Sequence, residues 1–324
     1  MAACTRPLAF GSLLAILGAT AACSALTGGE SGAGGAADRG WTEPVVVFGG
    51  LDRPTALGQT ATSLLWADEQ GTVQTATKQG GERTTLAESL GAVADLAIDG
   101  SALFWLDGHN GRLWSLDLAA GEPTLLAIGL AAPRRLALDA TYVYWIDGNG
   151  SLMQLSRWGG VPWSIAAGSS ELGDVLADGQ NVFFTDVAAG TVESVPVSGG
   201  GLQYLATGQL APGSLARAGQ QLYWATATTV TALDLSNPEA TPTIVTETLG
   251  PPEWLYAAGG YLYWSSADAG AVQRASRAGG PATTVASGQA SPGALVVDTL
   301  AVYWLDHGAG PGTGSLDMAM RQPD

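Results

Sequence analysis

From about residue 45 onward, apolar and polar residues alternate in short runs broken by Gly, Pro, Asn and Asp. The stretch between residues 134 and 168 shows the pattern most plainly: "RRLALDA", "YVYWIDG", "SLMQLSRW" and "PWSIAAG", separated by "DGNG" and "GGV". A period of two with turn residues between runs predicts half-buried strands rather than helices. Four such strands fit into this stretch.

The same unit recurs. Aromatic pairs stand at Phe104 and Trp105, Tyr144 and Trp145, Phe183 and Phe184, Tyr223 and Trp224, Tyr263 and Trp264, and Tyr303 and Trp304, with Leu65 and Trp66 as a weaker first copy. Successive second members are 39 or 40 residues apart. Nine positions before each lies Leu57, Leu96, Leu136, Val175, Leu215, Leu255 or Leu295, and two positions after five of them lies Asp68, Asp107, Asp147, Asp186 or Asp306. Four short strands per repeat of about 40–45 residues is the period of a β-propeller blade. The fold class expected is all-β, a seven-bladed propeller of four-stranded antiparallel blades. A six-bladed ring with an irregular extra repeat is the alternative. The last copy lacks a fourth strand, whereas "EPVVVFGG" (residues 43–50) precedes the first copy without a blade of its own. The N-terminal strand is therefore expected to complete the last blade and close the ring.

The Tyr-Trp-x-Asp core resembles the YWTD repeat of low-density-lipoprotein-receptor-type propellers, and also the repeats of bacterial secreted propeller lipoproteins. The resemblance covers residues 45–324 and implies the propeller fold. YWTD propellers have six blades and this chain has seven copies, so no particular binding surface carries over. A residue present in every copy serves what every blade needs. The aromatic pairs are thus expected to pack between neighbouring sheets, one ring toward each side, and the repeated Asp to accept N–H groups of its own turn.

Composition narrows the classes further. There are 46 Gly and 16 Pro in 324 residues, and only 13% of residues are charged, which suits turns and sheets buried on both faces and disfavours a helical bundle. The 29 acidic against 13 basic residues, with Lys78 as the one lysine, exclude a phosphate-backbone surface and hence nucleic acid as partner. The two cysteines, Cys4 and Cys23, leave the body without a disulfide or thiolate metal site. No cofactor and no metal is expected. "DGHNG" from Asp107 and "DGNG" from Asp147 lack the further carboxylates that a calcium site needs.

The first 40 residues read as an address. Leu8 to Ala22 is an apolar run of 15, too short to span a bilayer but suited to a signal peptide. "TAAC" followed by a Gly/Ser/Ala-rich stretch resembles a bacterial lipoprotein signal, implying residues 1–22 as signal peptide, lipidated Cys23, a tether over 23–40 and the propeller over 41–324. Thr20 stands where Leu is commonest, and cleavage at an Ala-x-Ala site near Ala19–Ala21 would leave Cys23 incidental. The expectation is a monomer outside the cytoplasm, held to the envelope by lipid alone, with the outer membrane favoured, or secreted.

Symmetry cannot explain residues that do not repeat, so these are the candidate site. Loops from the fourth strand of one blade to the first of the next carry Asp52, Arg53, Arg134, Arg135, Glu171, Asp174, Glu253 and Trp254. Loops between second and third strands on the same face carry Glu69, His109, Asn149, Asp268 and His307. Arg53, Arg134, Arg135, Asp174, Glu253 and Trp254 are the ligand-binding candidates. An arginine pair suits a carboxylate and an exposed Trp suits an interface, while solvated loop arginines and a Trp packed on Pro251 and Pro252 are the plainer readings. The chain's two histidines, His109 and His307, are the weak catalytic candidates. Streptogramin-type lyases, seven-bladed propellers with a His and a Glu around a metal, supply the enzyme alternative, against which both histidines read as solvated loop residues. The function expected is an envelope-associated binding or scaffold module for a protein, peptide or glycan on the channel face; the alternatives are a lyase-like or hydrolase-like enzyme using His109 or His307 with loop carboxylates, and an unspecialised displayed spacer.

Overall fold

The computed structural model describes residues 40–88, 91–119, 121–167 and 171–322. Within them are 28 strands in seven four-stranded antiparallel sheets, and no helix. Six sheets take their strands in chain order, as in blade three: Arg134–Leu138, Tyr142–Ile146, Ser151–Ser156 and Trp163–Ala167. The first strands of successive blades touch one another around a closed ring, so they line a central channel and the fourth strands lie outermost. There are seven sheets, not six.

The repeat spacing is the strand register. Each residue nine positions before the second aromatic pairs directly with it across the first and second strands: Leu57 with Trp66, Leu96 with Trp105, Leu136 with Trp145, Val175 with Phe184, Leu215 with Trp224, Leu255 with Trp264 and Leu295 with Trp304. Because adjacent residues of a strand point to opposite sheet faces, the aromatic pair serves two gaps. Seven hydrophobic clusters fill the seven gaps, and every one joins the first member of a pair to the second member of the next: Leu65 with Trp105, Phe104 with Trp145, Tyr144 with Phe184, Phe183 with Trp224, Tyr223 with Trp264, Tyr263 with Trp304, and Tyr303 with Trp66. The six Trp among the second members are at most 1% exposed. Removing one such ring costs about 3–5 kcal/mol.

A buried indole N–H needs an acceptor. Gln74 supplies it for Trp66, Asp147 for Trp145, Gln209 for Trp224, Gln273 for Trp264 and Gln289 for Trp304, at 2.7–3.2 Å. In blade two the acceptor's place is taken by Trp114, stacked on Trp105 at 6.2 Å, and Trp105 Nε1 has no partner among the described residues. The repeated Asp accepts turn N–H groups, as Asp68 does from Gln70 and Thr72 and Asp186 does from Ala189. Where the Asp is replaced, Thr226 accepts from Thr229 and Ser266 from Ala269.

The last sheet is closed by both chain ends. Its order runs from the N-terminal strand Val45–Leu51 through Gly314–Met320 and Ala301–Asp306 to the inner strand Pro292–Val297. Trp41 extends the closure, bridging to Arg321, standing edge-on to Tyr263 at 6.1 Å and covering the fully buried Arg274, whose guanidinium lies 5.0 Å from the Trp41 ring and 4.4 Å from that of Tyr261. Without this strand Gly314–Met320 becomes an unpaired edge and Phe48 and Leu51 leave the cluster between blades seven and one. Deletion of residues 41–51 is expected to remove several kcal/mol. At about 2–4 °C per kcal/mol for a chain of this size, calorimetry should show a fall of more than roughly 10 °C, and an unchanged melt would contradict closure by this strand.

Candidate functional site

Five of the seven inner strands begin with an irregularity. In blades one, two, three, four and seven the pairing with the second strand slips just before the repeated Leu or Val. The residue at that point, ten positions before the second aromatic, is Ala56, Asp95, Arg135, Asp174, Ser214, Trp254 or Ala294 in blades one to seven. The fold repeats there and the chemistry does not.

Three of these side chains staple neighbouring inner strands. Asp95 accepts the N–H of Leu96 on Oδ1 at 2.8 Å and that of Leu136, in the next blade, on Oδ2 at 2.9 Å. Asp174 takes Val175 on one oxygen and Leu215, with the Ser214 hydroxyl, on the other. Ser214 Oγ accepts from Leu255 N at 3.0 Å. Asp174 thus has both oxygens committed to the frame. Burial pushes the Asp95 carboxyl up to about 6, against the pull of Arg135 and the two N–H bonds and with the help of Asp174.

Arg135 and Trp254 do something else. They belong to blades three and six, with two blades between them one way around the ring and three the other. Yet the Arg135 guanidinium carbon lies 4.5 Å from the Trp254 ring centroid. The stack therefore crosses the channel. Trp254 also packs against the clusters on both sides of blade seven, rather than lying as an exposed anchor. Arg135 has φ of +50°. Among the described residues the other three non-glycine residues with positive φ, Arg53, Ala132 and Ala211, share one place in the preceding loop, thirteen positions before the second aromatic, so of these only Arg135 is turned this way at the channel. A non-glycine residue in a sparsely populated backbone region costs about 1–3 kcal/mol and persists where surrounding structure enforces it. Here the Asp95 staple holds Leu136, the next residue.

Around this stack stand the other candidates. Arg134 is half-buried beside Arg135. Glu253, on the rim, has its carboxyl raised by desolvation and by Asp268, against His307 and Arg135, which lower it. His307 is half-buried and lies over Gly293, where a Cβ would come within 2.8 Å of Nε2, so glycine is what admits the imidazole. His307 also lines a cavity of about 290 Å³ with Arg53, Thr55 and Glu69, and Arg53 pairs with Glu69 at 3.0 Å on the exposed rim. The structure thus brings Arg135, Trp254, Glu253 and His307 together at one mouth. His109 is exposed in the turn between the second and third strands of blade two. Among the described residues no group of three or more His, Cys, Asp and Glu is arranged to hold a metal. Cys23 lies outside the described residues.

The opposite mouth holds a feature the sequence did not flag. A cavity of about 900 Å³ opens among the loops between first and second strands of blades one, two and seven, floored by Tyr256 and Tyr303. Lys78, 8% exposed, reaches from blade one to Asp298 of blade seven at 3.0 Å and donates to Gln59 Oε1 at 2.8 Å, while Gln59 donates to Val297 O. Burial would raise Asp298, but the N–H groups of Leu300 and Ala301 and the Lys78 ammonium outweigh it and hold the carboxyl low. Burial and Asp298 push the Tyr303 phenol up to about 12. The available signal was that Lys78 is the single lysine; its partner was 220 residues away.

No known family pattern matches the sequence, and no curated protein is similar to it. Among solved structures the chain is similar to virginiamycin B lyase from Staphylococcus aureus, with a TM-score of 0.71 at 10% identity over 86% of this chain and 98% of that one. A catalytically inactive variant of that lyase with quinupristin gives 0.71 at 11% over the same shares. A chain of the nidogen/laminin complex gives 0.55 at 19%, over 66% of this chain and 89% of that one. At such identities the likeness concerns the fold alone: the protein is a β-propeller.

The Asp95 staple makes stability depend on pH. A carboxyl whose folded pKa is raised holds its proton more tightly folded than unfolded. Its contribution is full below about pH 4 and is lost as pH rises through about 6, a difference of about 3 kcal/mol at 1.36 kcal/mol per unit. Asp95→Ser copies the Ser214 arrangement and cannot titrate. In urea unfolding from pH 4 to 7, wild type should lose stability relative to the variant across this window; parallel profiles would contradict the assignment.

Proposed function

We propose that this protein is an extracytoplasmic binding module whose ligand, a protein, peptide or glycan, docks on the mouth of the channel bearing Arg135, Glu253, Trp254 and His307. One observation carries the reading. These four side chains come from blades three, six and seven, none repeats, and they meet at one point of a scaffold that is otherwise near-symmetric. Non-repeating chemistry held by a strained backbone on a rigid ring is how a binding site differs from a packing residue. Structural neighbours include a propeller in a complex with another protein and a propeller lyase with quinupristin.

The N-terminal sequence supports an address outside the cytoplasm. The apolar run ending at Ala22, Cys23 and the 17 Gly-rich residues from Ser24 to Gly40 fit a lipid anchor followed by a tether.

Photo-crosslinking in the producing cells tests the site. Benzoylphenylalanine at position 253, on the rim, is expected to give a discrete covalent adduct, whereas the same group at position 244, exposed on the outer strand of blade five, gives none. No adduct from 253, or equal adducts from both, would overturn the reading. Metabolic labelling with palmitate should mark the wild type and be lost in Cys23→Ala; label retained in the variant would place any lipid elsewhere.

A further inference from the structure

We infer that the channel-mouth site recognises its ligand through a carboxylate held edge-on by the Arg135 guanidinium. The inference rests on the binding reading above and narrows it to a chemical class.

The guanidinium carbon lies over the Trp254 ring, 4.5 Å from its centroid. A stacked guanidinium keeps its N–H donors in its own plane, directed away from the ring. Among the described residues no side-chain hydrogen bond or ion pair uses those donors. Among the described residues no carboxylate lies within ion-pair distance of Arg135, although the chain carries 29 acidic residues against 13 basic ones. The nearby acids have other work or stand farther off. Asp95 has both oxygens on backbone N–H groups, Asp174 likewise, and Glu253 interacts only at longer range. Nor are the guanidinium nitrogens sealed away, since Arg135 is half-buried and none of its donors is both buried and unpaired.

A planar fork open only along its edge selects a planar acceptor with two oxygens, which is a carboxylate. Arg134, on the adjacent position, adds positive field. The surrounding Glu253, Asp174 and Asp268 disfavour a group with two negative charges, so a phosphate dianion is the poorer fit. The Trp254 ring, fixed under the guanidinium by the clusters flanking blade seven, keeps the fork from swinging to another acid. The ligand is therefore one that ends in, or exposes, a carboxylate at its point of contact, as a peptide C-terminus does.

Calorimetry on the purified chain tests this with three probes: N-acetyl-trialanine as the free acid, the same peptide as its C-terminal amide, and inorganic phosphate. The acid is expected to bind, with amide and phosphate weaker by about tenfold or more, the size of one lost charge-assisted pair. Arg135→Asn removes the fork while tolerating positive φ, and should lower affinity for the acid by about tenfold or more with an unchanged melt. Arg135→Lys keeps the charge without the fork and should also bind less tightly. Equal binding of acid and amide, preference for phosphate, indifference to Arg135→Asn, or no binding of the acid would each overturn the carboxylate assignment. The crosslink from position 253 separates the two claims: adducts that persist alongside any of these results leave the docking face standing, and their absence removes the face itself.

Discussion

Everything in this molecule depends on one packing contact, repeated seven times: the second ring of one blade's aromatic pair against the first residue of the pair in the blade before it. The contact demands a strand buried on both faces, so charge is scarce. It demands a fixed register between first and second strands, so a Leu or Val sits nine positions before each ring. It also demands a partner on each side, so a row of blades is stable only when it closes. The N-terminal strand, with Trp41 clamped over Arg274, provides that closure by pairing the two ends of the chain.

Closure places seven equivalent positions around a narrow channel, and there the repeat stops being uniform. A residue at that point can staple its strand to the next one, as Asp95, Asp174 and Ser214 do through backbone N–H groups. It can be small and leave space, as Ala56 and Ala294 do. Arg135 and Trp254 take neither course and meet each other across the opening. The acid excess of the chain, which on its own suggests a basic partner, has much of its use inside the frame: turn carboxylates, two strand staples and the Lys78–Asp298 clasp. The cationic groups at the mouth therefore say more about a ligand than the net charge does.

How much of this was legible in the sequence differs between frame and site. The aromatic pairs, their spacing and the orphan strand at the N-terminus are enough to write down seven blades, their closure and the role of each ring, because local period-two patterning and a fixed repeat length leave one arrangement that buries every face. Arg134, Arg135, Glu253, Trp254 and His307 were legible as exceptions to the repeat. Their roles were not. Asp174 looked like a ligand-facing acid and spends both oxygens on strand N–H groups. Trp254 looked like an exposed anchor or a local lid over Pro251 and Pro252 and lies under Arg135, packed toward blade seven.

The chain alone determined the blade, the number of blades and which residues are common to all of them, since these follow from contacts between positions about forty apart that recur in phase. Only the tertiary structure decided which exceptions meet. Arg135 and Trp254 are 119 residues apart, Lys78 and Asp298 are 220 apart, and no local pattern encodes a contact across a ring. Such contacts are fixed by the curvature that seven packed interfaces impose together, a property of the closed ring that no single repeat possesses.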